Sequence, residues 1–149
     1  SNYFYIENYG GIYLPKYEKV KYNITNNNFI EIYFEHGKVI QNEEYSYMIF
    51  PNMNKNDFNE YINNIEIISN NNMVSTVKNK ELNSLKIIFW KGGQLGDIKV
   101  DNPCVLIIED DFIYVSEPTH KYEFINLSIG DRNYQVEVNK GYTTKVKKI

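Results

Sequence analysis

FIEIYFEHGKVIQNEEYSYMIFPN, which occupies residues 29–52, is the stretch whose pattern decides the predicted fold. Within it, residues 29–35 and residues 44–50 both alternate, with β-branched and aromatic side chains at every second position. Such alternation is typical of β-strands. The polar link between the two runs contains Gly37, and Pro51 ends the second run because proline cannot donate to a strand ladder. The stretch by itself therefore predicts a β-hairpin.

Short apolar runs separated by turn residues continue through the rest of the chain. Residues 85–90 form a strongly apolar run, and residues 105–109 and 112–116 are expected to pair as a hairpin around two aspartates. Residues 74–78 are interpreted as one helical turn or an irregular link. Short strands at even spacing predict an all-β protein, specifically an antiparallel β-sandwich.

The period changes over residues 54–64, where Phe58 and Ile62 lie four residues apart on one predicted helical face. Asn54 or Asn56 is expected to be the N-cap, since asparagine side chains accept hydrogen bonds from the first turn of a helix. We therefore expect one short helix, which links two β units.

Composition narrows the classes of function. The 149 residues carry a net charge of −3, which argues against a nucleic-acid-binding surface, since these are usually basic. No apolar run approaches the ~20 residues of a transmembrane helix. The single cysteine, Cys104, excludes an internal disulfide. No cofactor motif is present.

Several motifs occur in an order that resembles the family-8 polysaccharide lyases, the group that includes hyaluronate, chondroitin and xanthan lyases. The motifs are Glu35-His36-Gly37, Tyr45-Ser46-Tyr47, Pro51-Asn52, Phe89-Trp90, Val100-Asp101-Asn102-Pro103 and Val115-Ser116-Glu117-Pro118-Thr119. Glu117 stands where the family usually has aspartate. The ordered resemblance runs over roughly residues 10–119.

The resemblance implies an architecture and a cellular role. Residues 1–64 would be the closing strands of a central β super-sandwich together with the short helix, and residues 65–149 would be a C-terminal β-sandwich domain. Lyases of this family cleave uronic-acid polysaccharides by β-elimination, with catalytic residues in an N-terminal α/α-toroid domain that these residues do not resemble. The resemblance therefore implies a piece of a secreted bacterial enzyme. Its partners would be the catalytic domain of the same longer chain and an acidic polysaccharide.

Residues with catalytic or metal-binding chemistry are few, and each is predicted to have a structural role. His36 and Glu35 are neighbours in a strand, so their side chains point to opposite faces and do not pair. His120 is expected in a solvated loop and Cys104 in the core. The acidic residues 109–111 are interpreted as a hairpin turn, because they lack the ligand spacing of a calcium loop. We expect no catalytic residue and no metal site.

Aromatic side chains are the positive binding signal. Sugar rings stack on exposed aromatic faces, so Trp90, Tyr45 and Tyr47 are candidate carbohydrate-binding residues. The alternative for Trp90 is a core position, because it ends an apolar strand and tryptophan is strongly buried on average. The alternative for the two tyrosines is a half-buried packing face shared with Ile49.

Three functions remain open from the sequence. The first is a non-catalytic C-terminal β region of a polysaccharide lyase, which supports the catalytic domain and its substrate cleft. The second is a stand-alone carbohydrate-binding module. The third is a surface structural or adhesion sandwich without affinity for sugars.

Overall fold

The computed structural model of the chain describes residues 2–16, 20–25, 30–34, 38 and 45–148. These residues form mainly antiparallel β-strands, and a single helix lies among them, as the sequence predicted. The chain divides into two compact units, Ser1–Asn63 and Asn64–Ile149. Within the described ranges, no helix has the length and apolar character needed to cross a membrane.

The described residues of the first unit form two small antiparallel sheets. In chain order its strands are β1 Tyr3–Ile6, β2 Gly10–Tyr13, β3 Val20–Ile24, β4 Ile30–Phe34 and β5 Met48–Pro51. One sheet has the order β1-β2-β5, and the other pairs β3 with β4. Pro51 ends an edge strand, where a missing backbone donor is tolerated.

The hairpin predicted over residues 29–52 is wrong in its pairing, although both of its strands exist. β4 pairs with β3, whereas β5 pairs with β2 and places Phe50 opposite Gly11. Residues 25–29 separate β3 from β4, whereas the longer segment 35–47 separates β4 from β5. Because closing a shorter loop costs less conformational entropy, the pairing of β4 with β3 is favoured. Alternation therefore identifies the strands but not their partners.

The helix α1, Lys55–Asn64, begins after Asn54, which is the N-cap. The backbone N–H of Asp57 donates to Asn54 Oδ1 at 3.0 Å, and Asn54 Nδ2 donates to Asp57 Oδ2 at 2.6 Å. This reciprocal pair satisfies a backbone donor that the helix itself leaves unpaired. Of the two N-cap candidates that the sequence offered, Asn54 and Asn56, the structure selects Asn54.

Phe58 is fully buried and joins α1 to the three-stranded sheet of the first unit. Its ring centroid lies 5.4, 5.7 and 5.5 Å from those of Tyr3, Tyr5 and Phe50. A Cβ atom at Gly11 would come within 2.4 Å of Phe58 Cε2. Glycine is therefore required in β2, because the aromatic ring occupies the space of a side chain.

Within its described residues, the second unit contains strands and no helix. In chain order they are β6 Ile65–Asn70, β7 Val74–Asn79, β8 Ser84–Phe89, β9 Gly93–Leu95, β10 Ile98–Val100, β11 Cys104–Glu109, β12 Phe112–Ser116, β13 Phe124–Ile129, β14 Arg132–Glu137 and β15 Thr144–Lys147. A six-stranded sheet has the order β15-β12-β11-β8-β7-β6, and a four-stranded sheet has the order β14-β13-β10-β9.

The two sheets of the second unit share one hydrophobic core. Ile87 and Leu106 from the six-stranded sheet and Ile125 from the four-stranded sheet are all fully buried within the same cluster. Alternate residues on each strand supply these side chains, as expected for a sandwich with one solvated face on each sheet. The predicted antiparallel β-sandwich is confirmed.

The prediction of a helical turn or an irregular link over residues 74–78 is wrong. β7 is a strand that pairs with both β6 and β8. Val74 and Thr76 are its buried residues, two positions apart, which is the period of a strand. The spacing of Val74 and Val77 suggested a helix, but pairing on both sides decides the structure.

The turn predicted at the acidic residues 109–111 is confirmed and is tight. Asp110 and Asp111 connect β11 to β12, with Glu109 opposite Phe112 in the ladder. Asp110 has a φ of 47°, in the left-handed region that Asp tolerates better than most residues. The acidic cluster is therefore a hairpin turn.

Glu117 organises the turn that follows β12. Its side chain is buried, and Oε1 accepts hydrogen bonds from the backbone N–H of Thr119, at 2.7 Å, and from Thr119 Oγ1. Oε2 accepts from the backbone N–H groups of Lys121, at 2.8 Å, and Tyr122, at 3.4 Å. Burial acts to raise the pKa of this carboxyl, but the four hydrogen bonds outweigh burial and the pKa lies below its ordinary value.

Gly11→Ala is expected to lower the free energy of unfolding of the first unit by about 1–3 kcal/mol, because the new methyl group collides with the Phe58 ring. Urea unfolding followed by tyrosine fluorescence measures the change. Gly93→Ala is the matched control, since its Cβ would make only an ordinary contact, 3.6 Å from Met73 Cε. Equal stability of Gly11→Ala and the wild type would contradict the packing described for Phe58.

Glu117→Gln is expected to lower the free energy of unfolding at pH 7 by about 1–3 kcal/mol. The reason is that the NH2 group of glutamine would face backbone N–H groups, and two hydrogen-bond donors cannot pair. Since the folded-state pKa of Glu117 is lowered, its stabilisation is present above the ordinary value of 4.5 and is lost as the pH falls through the folded-state pKa. The variant should therefore lose less stability than the wild type as the pH falls below 4.5. Glu123→Gln, at an exposed position, is the control; parallel pH profiles for Glu117→Gln and the wild type would refute the assignment.

Candidate functional site

Tyr45 and Tyr47 lie just before β5 and present their rings to solvent. Their side chains are 53% and 51% exposed. The two rings are nearly parallel, with an interplanar angle of 6° and centroids 6.4 Å apart. Phe34 of β4 stacks on Tyr45 at 5.2 Å, so the three rings form one aromatic patch, which we call the tyrosine patch.

The interpretation of the tyrosines as half-buried packing residues agrees with their surroundings in part. The rings of Tyr45 and Tyr47 stack on one another and lie against Phe34, so each ring is about half covered. Ile49, which shares their face by alternation, is itself 61% exposed, so the face as a whole is not a core face.

Trp90 is exposed, and its interpretation as a core residue is wrong. Phe89, the last residue of β8, is 2% exposed, whereas Trp90 is 56% exposed. Adjacent residues of a strand point to opposite faces, so the burial of Phe89 directs Trp90 outward. The high average burial of tryptophan was a weaker guide than the alternation along this strand.

Hydrogen bonds hold the indole of Trp90 against the turn between β6 and β7. Nε1 of Trp90 donates to Ser75 Oγ at 3.1 Å, and Ser75 Oγ donates to Asn70 Oδ1 at 3.1 Å. The backbone N–H of Trp90 also donates to the carbonyl of Met73 at 3.0 Å. The polar edge of the ring is therefore satisfied within the protein, and the apolar face is left for a ligand.

The tyrosine patch and Trp90 belong to different units of the chain. The structure brings Tyr45 and Tyr47 together in the first unit, and Trp90 lies in the second. Each is an aromatic surface that suits the apolar C–H face of a sugar ring.

A polar groove that the sequence did not predict lies at the amino end of α1. It has a volume of about 840 Å³ and is lined by Tyr5, Glu7, Asn8, Asn52, Met53, Asn54 and Lys55. Tyr5 Oη donates to the carbonyl of Met53 at 3.1 Å, which fixes one wall. Asn8 and Asn52 have positive φ values of 67° and 56°. Their turns were recognisable from the sequence, but their proximity depends on the pairing of β2 with β5.

Cys104 has the structural role that the sequence predicted. It is fully buried in the core of the second unit. Burial, and to a lesser extent the charges of Asp101 and Glu117, raises the pKa of its thiol to about 12. The thiol is therefore neutral at physiological pH and is a poor nucleophile.

Among the residues that the structure describes, the remaining candidates form no reactive constellation. His120 is exposed in the turn after Glu117, with a φ of 56°. His36, together with Glu35 and Gly37, lies outside the described residues. Across the part of the chain that the structure describes, no group of three His, Cys, Asp or Glu side chains is arranged to hold a metal ion.

Comparison with known proteins gives a family match over part of the chain. Residues 66–126 match the family described as polysaccharide lyase family 8, C-terminal β-sandwich domain. A chondroitinase-AC from Pedobacter heparinus is 26% identical over 127 residues, which are 78% of this chain and 17% of that protein. The chain thus spans about a sixth of the length of this curated relative.

Solved lyase structures share the fold. A chondroitinase AC lyase superposes with a TM-score of 0.79 and 19% identity, covering 97% of this chain and 27% of that one. A chondroitin AC lyase of Streptomyces coelicolor A3 has a TM-score of 0.67 and 15% identity, covering 85% and 20%. A xanthan lyase from Paenibacillus has a TM-score of 0.65 and 23% identity, covering 78% and 14%.

The matched segment, the curated relative and the shared fold together support a C-terminal β region of the polysaccharide lyase family 8 type, in agreement with the resemblance of its motifs.

Proposed function

We propose that the chain is a non-catalytic β region of a larger secreted polysaccharide lyase, which degrades a uronic-acid polysaccharide of the hyaluronan or chondroitin type by β-elimination. Its role is to support the catalytic domain and to contribute glycan contacts beside the substrate cleft. The proposal is supported by the family match over residues 66–126 and by a relative named chondroitinase-AC, of which the chain covers 17%. Its partners are the catalytic domain and the acidic polysaccharide itself.

The domain organisation proposed for the chain follows the family resemblance. Residues 1–64 provide the closing strands of the central super-sandwich with the short helix, and residues 65–149 provide the C-terminal sandwich. The compact units Ser1–Asn63 and Asn64–Ile149 support a division at this point. The two-stranded sheet of β3 and β4 also suits a role as part of a larger sheet, since an isolated two-stranded sheet is only marginally stable in water.

The observation that carries the proposed glycan contact is the exposed and hydrogen-bonded indole of Trp90. A ligand that covers this exposed apolar ring removes apolar surface from water, which is favourable. The bond from Nε1 to Ser75 Oγ removes the need for a polar partner on the ligand. A pyranose ring can then stack on the indole through its C–H groups. Tyr45 and Tyr47 offer the same chemistry in the first unit.

The protonation state of Cys104 and the hydrogen bonds of Glu117 support a non-catalytic role. The raised pKa of Cys104 keeps its thiol neutral, and both carboxylate oxygens of Glu117 are occupied by hydrogen bonds within its own turn. Neither group is poised to remove a proton from a sugar.

A stand-alone carbohydrate-binding module is the second candidate. The exposure of Trp90, Tyr45 and Tyr47 favours this candidate over a surface sandwich without sugar affinity. The reason is that this chain itself carries aromatic rings on which a sugar can stack. Both candidates require glycan binding, and they differ in whether the chain works beside a catalytic domain.

The 149-residue chain is expected to show no lyase activity by itself. Incubation with chondroitin and with hyaluronan should leave the ultraviolet absorbance of unsaturated uronates unchanged. A family-8 lyase with its catalytic domain is the positive control. Turnover by the isolated chain that disappears in a His36→Ala variant would contradict the proposed non-catalytic role.

Trp90→Ala is expected to weaken the binding of chondroitin oligosaccharides by about two- to tenfold, because it removes one ring-stacking surface. Isothermal titration calorimetry measures the dissociation constant. Tyr142→Ala is the matched control, since Tyr142 is also exposed, at 73%, in the second unit.

Tyr47→Ala tests the tyrosine patch, with the exposed Tyr9 as its control position. Unchanged affinity in both Trp90→Ala and Tyr47→Ala would exclude these rings as glycan contacts.

A further inference from the structure

The solvent-facing side of the four-stranded sheet contains a polar groove distinct from Trp90 and the tyrosine patch. It has a volume of about 570 Å³, and its lining comes from β10, β13 and β14 and from Asp101, which follows β10. Pockets for small ligands have volumes of about 300–1,000 Å³. The side chains in this groove alternate with the buried residues Val100, Leu127 and Tyr134, so the core of the sandwich sets their outward direction.

One row of side chains in this groove is fixed by hydrogen bonds across three strands. The backbone N–H of Asn126 donates to Asp101 Oδ1 at 3.0 Å, and Asn126 Nδ2 donates to Asp101 Oδ2 at 2.6 Å. Gln135 Nε2 donates to Asn126 Oδ1 at 3.5 Å. Each oxygen of Asp101, the carboxylate of the groove, therefore already accepts a hydrogen bond.

A second row in the groove has its polar groups available. Lys99 lies opposite Ser128, and Ser128 lies opposite Asn133 in the ladder. Among the residues that the structure describes, none makes a side-chain hydrogen bond or ion pair with these three. Three adjacent strands span about 10 Å, and rows two residues apart are separated by about 7 Å. Together the rows form a shallow area lined with donors, with an unpaired cation at one side.

An aromatic ring borders this area. Phe124, two residues before Asn126 in β13, points to the same outward face and is 44% exposed. Amide and hydroxyl groups beside an exposed ring match the hydroxyl groups and C–H face of a sugar. The cation matches an acidic substituent, since a charged hydrogen bond to a carboxylate is stronger than a neutral one.

We infer that this face, defined by Lys99, Ser128, Asn133, Asn126 and Gln135, is a second glycan-binding surface, which takes an acidic saccharide with a carboxylate or sulfate at Lys99. The inference rests on the proposed function, because that function supplies an acidic polysaccharide as the ligand. A protein partner fits less well, since interface centres are rich in aromatic residues and depleted in lysine. Nucleic acid fits poorly with one unpaired cation and a net charge of −3.

Calorimetric titration of the 149-residue chain with a chondroitin hexasaccharide tests the inference. Lys99→Ala is expected to raise the dissociation constant about tenfold, as for loss of a hydrogen bond to a charged group. The same hexasaccharide with its carboxyl groups reduced to alcohols should bind the wild type more weakly, and Lys99→Ala should not distinguish the two ligands. Lys86→Ala is the matched control, because Lys86 is an exposed lysine of strand β8 in the other sheet.

Phe124→Ala and Asn133→Ala extend the test to the remaining contacts of this face. Unchanged affinity in Lys99→Ala, with weaker binding in Trp90→Ala, would overturn this inference and leave the proposed function standing. Weaker binding in Lys99→Ala with no effect of Trp90→Ala would support this face and reject the indole contact. The absence of any heat from wild-type protein at millimolar ligand would overturn both this inference and the glycan binding proposed for the chain. Equal thermal unfolding of each variant and the wild type verifies that binding, and not folding, has changed.

Discussion

The alternation of buried and exposed side chains along paired strands is the constraint on which the second unit depends. Ile87, Leu106 and Ile125 fill one core between two sheets, and every residue that enters this core sends its neighbours to the opposite face. The same rule places Phe89 inside and Trp90 outside, and it directs Lys99 into water between the buried Ile98 and Val100. The packing of the interior thus determines which residues a ligand can reach.

The first unit depends on a different contact. The ring of Phe58 on α1 covers Gly11 of β2 and meets Phe50 of β5, so one side chain joins elements that are distant in the sequence. The helix is placed by its own N-cap, Asn54, and by this ring. The second unit has a continuous apolar core between its sheets, whereas the first relies on a small aromatic cluster.

Local features of the fold were predictable from the sequence, and non-local ones were not. The hairpin around Asp110 and the N-cap of α1 are set by residues next to one another, so the hairpin was predicted and the N-cap was narrowed to Asn54 or Asn56. The pairing of β5 with β2 joins residues about 40 positions apart, which alternation cannot reveal. The groove beside Lys99 was missed for the same reason, because Ser128 and Asn133 reach it only through strand register. Trp90 was recognised as a candidate, but its exposure required knowing that Phe89 is buried.

The hydrogen-bonded chain from Trp90 through Ser75 to Asn70 has a consequence for the entropy of binding. Ordering a mobile side chain at an interface costs about 0.5–1.5 kcal/mol. Folding has already restricted the rotamer of this indole, so a ligand that stacks on it does not lose that free energy. Preorganisation of this kind allows a single exposed ring to contribute to the affinity for a flexible, strongly hydrated polymer.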